Sequence, residues 1–298
     1  MSEEKEAVDT CCASCGIAQN DDIKLRKCTA CYLVKYCSIK CQKDHRKQHK
    51  RDCKKRAAEL RDEILFKQPE GSHYGDCPIC CLPLSLFPEY SSMWGCCGKV
   101  ICNGCRYANT LRETDQRLTL KCPFCREPLP SEEEACKQNM KRVEANDPVV
   151  IRHEGGVKYK QGDYQGAFNY YKKAAELGDV AAHFSLADLY HCGHGVEKDK
   201  GKVIHHIEEA AIGGHPEARR NLGVHEWNNG NYDRAVKHFI IAATQGEDDS
   251  IKALMNAFKG GFVSKEDLDA TLRAHKAAVD ATKSPQRHAA EKYYQWQF

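Results

Sequence analysis

The residues best equipped for chemistry are sulfur donors. The chain has 298 residues and 19 cysteines. Seventeen of them fall between Cys11 and Cys125, and only Cys136 and Cys192 lie beyond. The sequence repeats C-x2-C at Cys12/Cys15, Cys28/Cys31, Cys77/Cys80, Cys102/Cys105 and Cys122/Cys125. A two-residue gap lets both sulfurs of a tight knuckle reach one ion at about 2.3 Å. Cys37/Cys41 and His49/Cys53 are separated by three residues, which places each pair one turn apart on a helix face. An oxidised chain would use such cysteines for disulfides, and a reduced one for metal. The first ten residues, MSEEKEAVDT, are polar and acidic with no apolar core, unlike a secretory signal. The expected address is therefore cytoplasmic or nuclear, and the expected chemistry is zinc.

In the first cluster Cys12, Cys15, Cys28, Cys31, Cys37, Cys41, His49 and Cys53 supply enough ligands for two closed tetrahedral sites. A closed site has no open position for a substrate, so its role is structural. Cys11 is an alternative to Cys12, though its gap to Cys15 is three residues. The segment resembles the MYND zinc finger through Cys12-x2-Cys15, Cys28-x2-Cys31, Tyr36-Cys37-x3-Cys41-Gln42 and His49-x3-Cys53. The resemblance covers about 45 residues and implies interleaved pairing. One ion takes Cys12, Cys15, Cys37 and Cys41, and the other Cys28, Cys31, His49 and Cys53. His45 stands where that family usually has tryptophan, which bears on the shape of its peptide groove.

In the second cluster Cys77-Pro-Ile-Cys80 opens, Cys96-Cys97-Gly-Lys-Val-Ile-Cys102-Asn-Gly-Cys105 follows, and Cys122-Pro-Phe-Cys125 closes. It resembles a RING-type cross-brace domain in every spacing from Cys97. Lys99 takes the family's histidine position, and a protonated lysine cannot bind zinc. The extra thiol of Cys96 can replace it, with Cys81 and His73 as alternatives. The family pairing implies one ion on Cys77, Cys80, Cys102 and Cys105, and another on Cys96, Cys97, Cys122 and Cys125. RING ligases orient a ubiquitin-conjugating enzyme rather than supply a nucleophile. The resemblance implies three contact residues, Ile79, Pro123 and Arg126. No tryptophan lies between Cys105 and Cys122, where a ligase helix often has one.

The elements that must carry these sites are short in the front half and helical behind it. Aromatic-x2-Gly recurs at Tyr159/Gly162, Tyr190/Gly193, Trp227/Gly230 and Phe258/Gly261. Ala-Ala-x2-Gly recurs at Ala174/Gly178, Ala210/Gly214 and Ala242/Gly246. Asp163, Asp199 and Asn231 each precede the alanine pair by eleven residues, as helix N-caps should. Helix pairs of this kind stack, because one alone cannot bury its apolar face. The array resembles Sel1-like repeats, relatives of the tetratricopeptide repeat, most closely at Gly193-His-Gly195-Val196-x2-Asp199. That resemblance covers about 135 residues, with a degenerate fourth unit at Asp249–Lys283, and it implies protein partners. The fold class expected is thus small zinc-stabilised MYND and RING-like domains followed by an all-α helix-pair repeat solenoid. The expected domains are a tail (1–10), the MYND-type finger (11–55), a helical linker (56–72), the RING-like domain (73–130), a linker (131–147), the repeats (148–283) and an aromatic C-terminal tail (284–298).

Charge narrows the function classes. The formal net charge is +3. Four Zn²⁺ ions bring eight positive charges and fifteen thiolates bring fifteen negative ones, so the loaded chain sits near about −4. General polyanion binding loses support. A local basic stretch remains at Lys40–Arg56, readable as a nucleic-acid or acidic-peptide patch or as a solvated helix face. No apolar run reaches the roughly 20 residues of a membrane helix. The histidines His183, His191, His194, His205, His206 and His215 read as polar surface or groove residues, and Cys136 and Cys192 as idle thiols. Tyr293–Phe298 reads as a peptide motif or a cap on the last repeat. No cofactor motif supports a methyltransferase. The reading is an intracellular zinc-dependent interaction scaffold, with a RING-type ligase and a nucleic-acid regulator as alternatives.

Overall fold

The computed structural model describes residues 11–295, which fall into two compact units divided between Lys67 and Gln68. The tail 1–10 and the end of the aromatic stretch lie outside the described residues.

The first unit joins one minimal strand pair to one long helix. Strand β1 (Arg26–Lys27) pairs antiparallel with β2 (Lys35–Tyr36), Arg26 opposite Tyr36. Helix α1 (Ile39–Leu65) follows, with Ser38 accepting from the Cys41 amide at 3.2 Å as N-cap. A ribbon of two-residue strands is too small to be stable alone. Its buried cluster consists of Cys12, Cys28, Cys31 and Tyr36, so sulfur stands where a larger domain would place aliphatic side chains.

The second unit begins the same way. Strands β3 (Ser91–Trp94) and β4 (Lys99–Cys102) form a hairpin, with Ser91 opposite Cys102, and helix α2 (Asn103–Asp115) follows at once. The buried cluster is Cys77, Leu84, Ile101, Cys102, Cys105 and Cys122. The segment 131–147 holds helix α3 (Glu132–Glu144). Ser131 caps it, three glutamates fill its first turn and Lys141 and Arg142 its last, in keeping with the helix dipole. Arg142 reaches back and donates to the carbonyls of Gly95 and Cys96, each at 2.8 Å.

The repeats are antiparallel helix pairs: α4 (Pro148–Lys160) with α5 (Tyr164–Glu176), α6 (Val180–Cys192) with α7 (Lys200–Ile212), and α8 (Pro216–Asn228) with α9 (Tyr232–Thr244). A fourth pair, α10 (Asp248–Lys259) and α11 (Lys265–Ala281), ends the stack. The alanine pairs are buried where one helix meets the next. Gly195 (φ +69°) is fixed by space as well as conformation, since a Cβ there would lie 2.6 Å from the Tyr164 carbonyl carbon. Asp163 and Asp199 cap α5 and α7 through their side chains. Asn231 departs from the expected pattern. It occupies the cap position of α9 but its side chain makes no cap bond; its Nδ2 donates to Glu226 at 2.7 Å.

Helix α12 (Pro285–Gln295) packs chiefly against α2 of the second cysteine module, not as a cap on the last repeat. Tyr293 meets Tyr107 with ring centroids 4.9 Å apart. Among the described residues no helix is long and apolar enough to cross a membrane.

Candidate metal centres

Sixteen side chains converge in four groups, within each of which all donor atoms lie within 4.8 Å of one another. The groups are Cys12, Cys15, Cys37 and Cys41; Cys28, Cys31, His49 and Cys53; Cys77, Cys80, Cys102 and Cys105; and Cys96, Cys97, Cys122 and Cys125. The knuckles supply two donors each, and the helices supply others. His49 and Cys53 share one face of α1, and Cys105 lies in the first turn of α2.

The donor sets fit zinc. Sulfur–sulfur separations are 3.6 Å for Cys15–Cys37, 3.8 Å for Cys28–Cys53, 3.8 Å for Cys80–Cys102 and 3.8 Å for Cys97–Cys122. A tetrahedron with Zn–S bonds of about 2.3 Å has edges of about 3.8 Å, whereas a disulfide needs about 2.05 Å. Burial opposes the Cys12 and Cys28 thiolates, but backbone N–H groups of Cys15, Cys37 and Ser14, and of Cys31 and Ala30, bring both down to about 6. Contact with Cys102 and the knuckle amides of Cys80 and Ile79 brings Cys77 down to about 4 against its burial. Crowding then pushes neighbours the other way. Contact with Cys41 and Cys15 raises Cys37 to about 12, and burial followed by contact with Cys28 raises Cys53 to about 12. Full ionisation of sulfurs this close is favoured by a cation among them.

Cys11, Cys81 and His73, the other candidates, lie outside the four groups. Cys11 pairs by backbone with Ala18 outside the group. Cys81 is exposed, and His73 stacks on His215 instead of joining Cys97. Lys99 lies over the Phe124 ring, 5.9 Å from its centroid. His45 accepts a place beside Tyr36, whose hydroxyl is 3.1 Å from Nδ1, and stacks on His49.

Of the three residues that the RING resemblance singles out, Ile79 is 40% exposed at the tip of its knuckle and Pro123 is half-buried. Arg126 donates to Asn109 and to Glu113, each at 2.7 Å. Glu113 is 0% exposed and also accepts from the Lys121 amide at 2.9 Å. Burial disfavours its charge, but these donors hold its pKa below the ordinary value. This carboxylate anchor was invisible in sequence, where Glu113 is one charged residue on a polar helix. His183 and His206, read from sequence as surface or groove residues, are part-buried, and their Nδ1 atoms meet at 3.1 Å across α6 and α7, a contact the sequence did not signal.

Beside the second MYND group a groove of about 530 Å³ opens along α1. Tyr36, Ala30, Ile39 and Ala57 form its apolar lining, and Lys43, Arg46, Lys50 and Lys54 add positive charge.

Comparison with known families matches residues 12–53 to the MYND finger and residues 151–179, 180–215 and 216–247 to the Sel1 repeat. The chain thus holds a segment that matches the MYND finger and three that match the Sel1 repeat. The RING-like resemblance of the second module rests on its cysteine groups alone. Among curated proteins the chain is similar to mouse DAP3-binding cell death enhancer 1, at 23% identity over 195 residues, 52% of this chain and 38% of that protein. It is also similar to putative beta-lactamase HcpC of Helicobacter pylori, at 39% identity over 56 residues, 19% of each chain. The chain thus spans less than half the length of either relative. Among solved structures, a Sel1 repeat protein from Oxalobacter formigenes aligns at 24% identity and TM-score 0.43, over 59% of this chain and 74% of that one. A protective antigen of uropathogenic Escherichia coli with an SLR fold aligns at 20% identity and TM-score 0.40, over 55% of this chain and 37% of that one.

Proposed function

We propose that the chain holds four structural zinc ions, one in each donor group, and uses the folded modules and the repeats to gather protein partners. The observation that carries this is the closure of all four groups: each has four soft donors, the set a structural zinc site needs. Bound zinc would supply folding free energy and neutralise the thiolates. We place the module limits at 11–55 and 73–130, and cysteines kept as metal ligands suit a cytoplasmic or nuclear setting. Native mass spectrometry tests the reading, with four zinc ions expected and two meaning that one module is misassigned.

The partner proposed for the α1 groove is an acidic peptide with an apolar anchor. An apolar lining with Lys43, Arg46, Lys50 and Lys54 suits that combination. Acidic peptides should bind with a modest salt dependence and lose affinity in Lys50→Glu. Duplex DNA or RNA binding with a steep salt slope, and no peptide binding, would favour the nucleic-acid reading.

A second reading makes the RING-like module a recruiter of ubiquitin-conjugating enzyme. The exposure of Ile79 supports it. The pairing of Arg126 with Glu113 weighs against it, since that guanidinium is already engaged. Autoubiquitination with a panel of conjugating enzymes decides: wild type and Arg126→Ala equally inert, with zinc bound, removes the ligase reading.

A further inference from the structure

The side chain of Arg287, on α12, is buried against the first donor group of the second module. It is 8% exposed. Its Nη1 donates to the carbonyls of Pro83 at 2.6 Å and Thr282 at 2.7 Å. Its Nη2 donates to the Leu82 carbonyl at 3.1 Å and faces the Cys80 sulfur at 3.5 Å. The helix comes this close because position 104 is glycine, where a Cβ would lie 2.8 Å from the Arg287 backbone nitrogen.

A zinc ion with four thiolates carries a net charge of −2, and burying it is costly unless a cation or donors face the sulfurs. The residues around this group offer few cations of their own. Arg106, next to Cys105, donates to Ser92 at 3.2 Å and lies over the Tyr294 ring, and Arg126 is committed to Glu113 and Asn109. The guanidinium that does face a ligand sulfur comes from beyond the repeats, 207 residues after Cys80.

We infer that Arg287 is the outer-shell cation of the Cys77–Cys80–Cys102–Cys105 site, so that retention of its zinc depends on the docked C-terminal helix. Arg287 is a positioning residue. It orients the Cys80 thiolate and the loop at Leu82–Pro83, and it offsets their charge. The inference rests on the four-ion reading above.

The test uses the full chain loaded with zinc, with release to a chromophoric chelator followed over time and native mass spectrometry for the count. Arg287→Met should speed the release of one equivalent by about 10–100-fold while three stay at wild-type rates. Arg287→Lys, which keeps the charge but not the fork, should fall between. Tyr293→Ala removes another α12 contact without touching sulfur and controls for docking alone. Unchanged release in Arg287→Met from a wild type that binds four ions overturns the inference and leaves the four-ion reading intact. Equal acceleration by Tyr293→Ala reduces Arg287 to a packing residue. A wild type lacking this site's ion overturns both.

Discussion

The imidazole of His73 stacks on that of His215 at 4.2 Å between centroids, and Phe184 covers the other ring at 4.4 Å. Burial holds His73 down to about 4, with Arg152 acting in the same direction, and holds His215 well below its ordinary value. Both rings are neutral in the fold, while the unfolded chain takes up protons below about pH 6.5. Stability should therefore be flat above that pH and fall as pH drops toward 4. Both His73 ring nitrogens lack hydrogen-bond partners, so His73→Phe should keep the stack and remove part of the acid sensitivity. We expect a gain of roughly 1–3 kcal/mol at pH 5 and little change at pH 7.5. Parallel stability–pH curves for the two proteins would discard this assignment.

Glu113 gathers donors from Asn109, Lys121 and Arg126 around one buried carboxylate. Glu113→Ala should destabilise the second unit by about 2–4 kcal/mol, because it leaves those donors unmet. Arg126→Ala should cost less, since that side chain is half in water. Thermal unfolding at neutral pH with zinc present reads both. A Glu113→Ala midpoint equal to wild type shows that the anchor is dispensable.

Two glycines with the same backbone sign should answer alanine differently. Gly162 (φ +80°) has nothing within 4 Å of an added Cβ, whereas Gly195 (φ +69°) has the Tyr164 carbonyl at 2.6–2.7 Å. Gly162→Ala should cost about 1–2 kcal/mol, the conformational penalty alone. Gly195→Ala should cost clearly more, measured by urea unfolding. Equal costs would mean that the loop relaxes.

The paired thiols permit a map of the ions. Cys12→Ser and Cys96→Ser should each lose one zinc equivalent by native mass spectrometry. Cys11→Ser and Cys81→Ser should lose none. Chelation should unfold both cysteine modules while leaving helix content in residues 148–283. Retention of four ions by Cys96→Ser would return His73 and Cys81 to consideration.

What could be read from sequence was what local spacing encodes. Cys77-x2-Cys80 states its own geometry, because two residues allow one knuckle. The alanine pairs and glycines announced the repeats for the same reason. Asn231 misled because a cap residue also depends on what lies nearby, and here its Nδ2 is tied to Glu226. Arg287 was silent because its role depends on a sulfur far away in the chain, and nothing around it marks the docking surface. His183 and His206 meet only because α6 and α7 pack side by side.

The docking of α12 on α2 also imposes an order in time. Ribosomes add about 5–20 residues per second, so Arg287 is made roughly 10–40 s after Cys105. During that interval the nascent second module must take up metal, or remain open to oxidation, without its last helix. Chaperones or metal donors acting during translation would meet a surface around Gly104 and Tyr107 that the finished molecule no longer offers.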